Sequence, residues 1–314
     1  MIDLKNKKIL LTGGAGFLGA YVFKTLIKRG VKKENIFIPR SNEYDLRKRG
    51  VCDKLVSNKD VIIHLAALVG GISFNQKNPA SIFYDNASMA LNLIDSAHKN
   101  GVEKFVGIGS VCSYPKFAKI PFIETDLWSG YPEETNAPYG LAKKMMLVQS
   151  QAYYKQYGFN AVHLLMINLY GPGDNFNPQS SHVIPALIKK IGEAKNNKLS
   201  FVEMWGSGRA TREFLYAEDA AEGIVLAAEK YNKPDPVNIG CNTEISIKKL
   251  VNLICKIIKY KGEVRWDTSK PDGQPRRMLN ADLAKKAFGF TSKISLNDGL
   301  KKTIDWYVKF KLLV

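Results

Sequence analysis

Lys7-Lys8-Ile9-Leu10-Leu11-Thr12-Gly13-Gly14-Ala15-Gly16-Phe17-Leu18-Gly19 decides the fold. The apolar run from Ile9 to Leu11 reads as a short buried strand, and it feeds without a break into glycines at 13, 16 and 19. A helical pattern from Ala20 to Arg29, closed by Gly30, follows at once. Strand, glycine turn and helix in that order make a dinucleotide cradle. The glycines let the backbone turn tightly and approach a pyrophosphate, whose charge then sits on the helix N-terminus. Gly13, Gly16, Phe17, Leu18 and Gly19 are therefore the first cofactor-binding candidates.

Working outward, Asn35 to Pro39 is a second strand, and Arg40 follows it about twenty residues after the last glycine. A carboxylate there would hold the ribose hydroxyl of NAD, whereas an arginine pairs with the extra phosphate of NADP, so NADP(H) is the expected cofactor. Asp45 and Leu46 fall in the region that frames an adenine. Val61 to Ala67 is another continuous apolar strand, with Ala66 and Ala67 as further cofactor contacts and His64 read as a satisfied strand-end histidine. Strand and helix signals alternate along the chain. The expected class is α/β, a doubly wound parallel sheet (Rossmann) with a smaller α/β substrate-binding domain. Residues 1–168 and 213–240 are assigned to the first domain and 169–212 and 241–314 to the second.

The chain has 314 residues, of which 45% are hydrophobic, enough for one sizeable core with a smaller lobe attached. It contains no run of 18 apolar residues, and Met1-Ile2-Asp3-Leu4-Lys5 runs straight into a charged segment without signal-peptide architecture. A cytoplasmic location with no membrane partner is expected. Cysteines at 52, 112, 241 and 255 show no C-x-x-C spacing and no histidine at metal-ligand distance, so reduced thiols and no metal are expected. The net charge of +17 is spread in short clusters without interleaved aromatics. That pattern suits an anionic nucleotide substrate better than a nucleic acid.

The chemistry gathers at Gly109-Ser110-Val111-Cys112-Ser113-Tyr114-Pro115. This stretch ends the apolar run from Phe105 to Ile108, at the strand mouth where open α/β sheets place ligands. Were the backbone extended there, Ser110 and Cys112 would point to one side and put a hydroxyl and a thiol into one pocket. Tyr139 and Lys143 lie four apart on a helix, so an ammonium sits beside a phenol and is expected to lower its pKa from about 10. Asn168-Leu169-Tyr170-Gly171-Pro172-Gly173-Asp174 ends a further strand and leads into the second lobe. By spacing alone His182 is a routine helix-start histidine. Trp205 to Arg212 reads as a substrate-facing loop with Arg212 toward a diphosphate. Lys270 and Arg276 sit in a turn-rich segment that can close over a nucleotide, and Ser246 is a helix cap.

A glycine cradle, a strand-end serine and Tyr-x-x-x-Lys together are the signature of the extended short-chain dehydrogenase/reductases. Within them the chain resembles the GDP-L-fucose synthase family along nearly its whole length. The likeness rests on Gly-Ser-Val-Cys-Ser-Tyr-Pro at 109–115, Asn-Leu-Tyr-Gly-Pro at 168–172, Asp174-Asn175-Phe176 and Ser-His-Val-Ile-Pro-Ala-Leu at 181–187. It continues through Trp205-Gly206-Ser207-Gly208, Arg212-Glu213-Phe214-Leu215 and Ser269-Lys270-Pro271-Asp272-Gly273. The resemblance implies an NADPH-dependent 3,5-epimerase and 4-reductase of a GDP-4-keto-6-deoxy sugar. It makes Cys112 the epimerisation base and His182 the acid, with Ser110, Tyr139 and Lys143 carrying reduction. It also implies GDP-sugar contacts from Asn168, Val183, Lys190, Trp205 and Arg212, and a homodimer built from helices near Leu91 and Tyr153. The chain departs from the family at Val111, Ser113, Gly173 and Asn177, and has Lys190 in place of an arginine. Three other readings stay open: a 4-reductase of another GDP-4-keto-6-deoxy sugar, an NAD-dependent sugar epimerase, and a cofactor-sensing regulator.

Overall fold

A computed structural model describes residues 1–178, 180–270 and 272–311. Pro271 of the Ser-Lys-Pro-Asp-Gly motif lies outside the described residues. The chain begins with β1 (Ile9–Thr12), α1 (Phe17–Lys28), β2 (Ile36–Phe37), α2 (Arg49–Val56), β3 (Val61–His64), α3 (Ile72–Lys77) and α4 (Pro79–Lys99). It continues through β4 (Lys104–Ser110), α5 (Ala137–Tyr157), β5 (Ala161–Met166), β6 (Asn168–Tyr170), α6 (Val183–Asn196), β7 (Phe201–Trp205) and β8 (Thr211–Tyr216). After these come α7 (Ala217–Lys230), β9 (Val237–Ile239), β10 (Glu244–Ser246), α8 (Ile247–Ile258), β11 (Glu263–Asp267), β12 (Arg276–Arg277), α9 (Asp282–Phe288) and α10 (Leu296–Lys311).

Six strands form a parallel sheet in the order β2-β1-β3-β4-β5-β9. The order reverses between β1 and β3, the switch point outside which such sheets bind ligands. Its strands are mostly apolar, and nearly all of their residues are buried, because both faces are covered. Ile9 and Leu11 enter one core with Val22 and Leu26 of α1 and Ile224 of α7. Leu10, Ile62 and Phe105 enter the other, with Cys52 of α2, Leu93 of α4 and Met146 of α5. Each such side chain, fully buried, contributes about 1.5–3 kcal/mol.

The second lobe packs α6, α8 and α10 around a separate core that includes Ile188, Val202, Leu250, Ile254 and Ile304. Ser246 caps α8 by accepting from the Lys249 backbone N–H at 3.2 Å. Sequence reading ended a strand at Asn168, but here the residue opens β6, which leaves the six-stranded sheet and pairs in parallel with β8. In β8, Leu215 points into the first core while Phe214 and Tyr216 point into the second. Its period of two gives one strand to both lobes.

Candidate active site

The cradle is built as its sequence requires. Gly13 has φ +70°, and a Cβ there would stand 2.7 Å from the Ala66 backbone nitrogen. At Gly19 a Cβ would stand 2.3 Å from the Gly13 carbonyl oxygen, so only hydrogen fits between β1 and α1. Gly16 caps α1 without a side-chain bond, which leaves the first N–H groups for an anion. Arg40 is exposed beyond β2, and its guanidinium makes no ion pair among the described residues. These features fit a phosphorylated dinucleotide. Asp45 fits less directly, since its carboxylate accepts from Arg47 at 2.8 Å and is held below the usual range by those bonds. The Leu46 side chain is buried with Cys52 and Leu55, so the structure does not bring it to the surface.

Ser110, Cys112, Tyr139 and Lys143 do come together. Beyond Ser110 the backbone is not extended, because Val111–Ser113 coils into a 3₁₀ turn. The Ser110 hydroxyl oxygen caps that turn by accepting the Cys112 N–H at 3.1 Å, and its own proton stays free to donate. Proximity of hydroxyl and thiol thus comes from a cap, not from strand alternation. The N-terminus of α5 lies against this turn at Gly140, where a Cβ would stand 2.2 Å from the Cys112 carbonyl oxygen. The Ser113 hydroxyl locks the contact by donating to the Gly140 carbonyl at 3.0 Å. Tyr139 is thereby set beside Cys112.

The electrostatics correct one expectation. Burial, and next the neighbouring thiol, raise the Tyr139 phenol instead of lowering it. Lys143 does not offset this, since its ammonium lies 5.7 Å from the ring centroid and is itself pushed down to about 8 by burial. The phenol therefore stays protonated near neutrality, the form a proton donor needs. His64 bonds the Thr12 hydroxyl at 2.8 Å, and burial pushes it down to about 3, in keeping with a satisfied strand-end residue. Sequence reasoning missed His163 on β5. It is buried against Gly109 with neither ring nitrogen hydrogen-bonded among the described residues, and burial likewise pushes it down to about 3.

His182 caps the start of α6 on a different loop, which abuts Gly71 through the Ser181 carbonyl. No hydrogen bond joins it to the Cys112 cluster among the described residues. Its ring is reached by solvent, yet the protein around it disfavours the imidazolium and lowers its pKa. Asn168 donates to the Glu213 carbonyl at 2.9 Å. Val183 and Trp205 are exposed, and Lys270 is exposed too. Lys190 lines a cleft of about 380 Å³ with Glu193, Leu199 and Phe201, a cleft that no residue of the cysteine cluster lines. Arg212 donates to the Thr211 carbonyl at 2.7 Å, and burial followed by the like charge of Arg277 pushes it down to about 10. Arg276 does not reach the cluster and pairs with Glu244 instead. Its neighbour Arg277 does, donating to the Cys112 sulfur at 3.6 Å. The parity of a two-residue strand decided between them, and no sequence pattern marks it.

A phosphate cradle at the sheet's switch point, with serine, tyrosine and lysine converging beside it, defines a dinucleotide-dependent oxidoreductase of the short-chain type. Residues 9–240 match the model of the NAD dependent epimerase/dehydratase family. The chain is 38% identical to GDP-L-fucose synthase 1 of Arabidopsis thaliana, over 97% of its own length and 94% of that protein. It is 36% identical to the GDP-L-fucose synthase of Escherichia coli (strain K12), over 98% of each. A GDP-L-fucose synthetase from Naegleria fowleri, solved bound to NADP, superposes with a TM-score of 0.86 at 27% identity, covering 97% of this chain and 95% of that one. The chain belongs to the NAD dependent epimerase/dehydratase family and, within it, to the GDP-L-fucose synthases. Among the described residues no helix is long and apolar enough to cross a membrane, and no three His, Cys, Asp or Glu side chains gather to hold a metal.

Proposed function

We propose that this chain carries out the NADPH-dependent 3,5-epimerisation and 4-reduction of GDP-4-keto-6-deoxy-D-mannose to GDP-L-fucose. One observation carries the reading. The Cys112 thiol shares its strand mouth with Ser110, Tyr139 and Lys143, and reduction alone has no use for a thiol. A 4-keto group acidifies the hydrogens at C3 and C5. Cys112, ionised, takes one of those protons and becomes a thiol, leaving an enolate whose oxygen Ser110 and Tyr139 stabilise by donation. His182 then protonates the same carbon from the opposite ring face and inverts it. The lowered pKa of His182 leaves it neutral in the free protein; a bound diphosphate nearby raises it again and equips it as an acid.

The bound cofactor supplies a hydride for C4. Tyr139 gives its phenolic proton to the carbonyl oxygen, and Lys143 restores the charge balance beneath it. Residues 1–168 and 213–240 hold the cofactor, and 169–212 with 241–314 hold the GDP-sugar through Val183, Lys190, Trp205, Arg212 and Lys270, with Asn168 reaching it from the edge of the first domain. Exposed apolar residues on adjoining helices, Tyr84 and Leu91 on α4 and Val148 and Tyr154 on α5, support a homodimer formed across those faces. A cytoplasmic setting completes the reading.

The test is to incubate the protein with GDP-4-keto-6-deoxy-D-mannose and NADPH in deuterium oxide and identify the product by NMR. GDP-L-fucose carrying deuterium at C3 and C5 is expected. A reduced sugar without deuterium would instead make the chain a 4-reductase. Cys112→Ser and His182→Asn should each suppress exchange, and exchange at the wild-type rate in Cys112→Ser would remove that residue from its role.

A further inference from the structure

A cysteine can serve as a base only as a thiolate, so a cation must favour that form at working pH. Lys143 is poorly placed for the task. Its ammonium lies over the Tyr139 ring, and burial works against its charge. The group that touches the sulfur is Arg277, whose Nη1 donates to Cys112 Sγ at 3.6 Å. Its Nε and Nη2 both donate to Gln274 Oε1, at 3.1 and 2.7 Å. Gln274 in turn donates through Nε2 to the Lys116 carbonyl at 3.2 Å. The guanidinium is thus braced against the very loop that carries the cysteine.

Strand parity supplies the aim. β12 pairs with β8 so that Arg277 lies beside Arg212 and Arg276 beside Thr211. Successive side chains alternate, sending Arg276 to Glu244 and Arg277 to the thiol. Tyr139 of α5 lies close enough to feel the thiol, with Lys143 over its ring, while Arg212 of β8 and Glu133 of the loop before α5 lie close enough to feel the charge of Arg277. Burial alone would raise the Glu133 carboxyl, but hydrogen bonds from Thr135 and Asn136 and the charge of Arg277 hold it below the usual range. Of these groups only Arg277 hydrogen-bonds the sulfur among the described residues.

We infer that Arg277, held by Gln274, is a positioning residue that stabilises the Cys112 thiolate and so readies the epimerisation base. The proton leaves Sγ for solvent. The guanidinium, always charged, gives up none of its own. An N–H donated to a sulfur anion is a charge-assisted bond, stronger than one donated to a thiol. The inference rests on the reading of Cys112 as base, and its test needs neither substrate nor turnover.

Iodoacetamide alkylation of the intact protein, with the modified cysteine identified by mass spectrometry, reads the thiolate directly. Burial pushes the thiols of Cys52 and Cys241 up to about 12 and raises that of Cys255, so labelling at pH 7 reports Cys112. Arg277→Gln should slow labelling of Cys112 about tenfold at pH 7, match the wild type at pH 9.5, and be partly rescued by Arg277→Lys. Gln274→Glu, which sets a competing carboxylate on the guanidinium from an outlying loop, should slow it in the same direction. Unchanged labelling at pH 7 in both variants would overturn the inference. So would a deficit in Arg277→Gln that persists at pH 9.5, since that reports access and not ionisation. Failure here leaves the role of Cys112 to the deuterium-exchange experiment, which decides it separately.

Discussion

Replacing Lys143 with methionine should make the folded protein more stable while disabling it. Burial pushes the Lys143 ammonium from 10.5 down to about 8, and no carboxylate among the described residues offsets it. At about 1.4 kcal/mol per pH unit, holding that charge inside at pH 7 destabilises the native state by about 3 kcal/mol. Methionine follows the same path without a charge. Between pH 8 and 10.5 the unfolded chain keeps a proton that the folded protein has released, so wild-type stability gains on the variant as pH rises through that window. The variant's advantage, about 3 kcal/mol at pH 7, should shrink to about 1 kcal/mol at pH 9.5. Urea unfolding at both pH values reads the difference, and Lys104, buried in both proteins, cancels. Reduction of the keto sugar should fall by about 100-fold or more. A variant no more stable at pH 7, or one whose gain is indifferent to pH, would refute the argument.

Four further outcomes follow from the same geometry. Tyr139→Phe should lower the rate of C4 reduction by about 10²–10⁴-fold, with deuterium exchange at C3 and C5 less affected, as measured by parallel NADPH consumption and NMR. Arg40→Gln should raise the KM for NADPH about tenfold or more while leaving that for NADH nearly unchanged, because one charge-assisted contact to the extra phosphate is lost. Gly19→Ala should abolish cofactor binding in a fluorescence titration, since its Cβ would collide with the Gly13 carbonyl at 2.3 Å. Glu213→Ala should cost about 1–3 kcal/mol in chemical denaturation. It strips the acceptor from the buried backbone N–H of Leu279 and from the part-buried hydrogen bonds of Cys241 and Asn242, with Leu279 and Asn242 at 2.7 and 2.9 Å from the carboxylate.

Much of the fold was legible because its determinants are local. The glycine spacing at 13, 16 and 19 can be satisfied by few backbones, and runs such as Val61 to Ile63 are apolar throughout because helices cover both faces. Tyr139 and Lys143 were legible for the same reason, being one helical turn apart. What the residues do to one another was less so. The sign of the Tyr139 shift depends on desolvation, a property of everything packed around α5, and sequence shows only the lysine nearby. Ser110 and Cys112 meet through a capped 3₁₀ turn that a proline three residues past Cys112 does not announce. Arg276 and Arg277 are chemically identical neighbours, separated only by which face of a two-residue strand each takes. His163 gives no pattern at all, because its oddity is a lack of hydrogen-bond partners among the described residues.

Strand β8 places a constraint on motion. Leu215 is rooted on one side while Phe214 and Tyr216 are rooted on the other, and between them Glu213 pins the segment that follows β12. A wholesale swing of one lobe about this strand would tear side chains from whichever interior it left. The reactive groups at the β4 mouth therefore keep a fixed register to the second lobe along this strand.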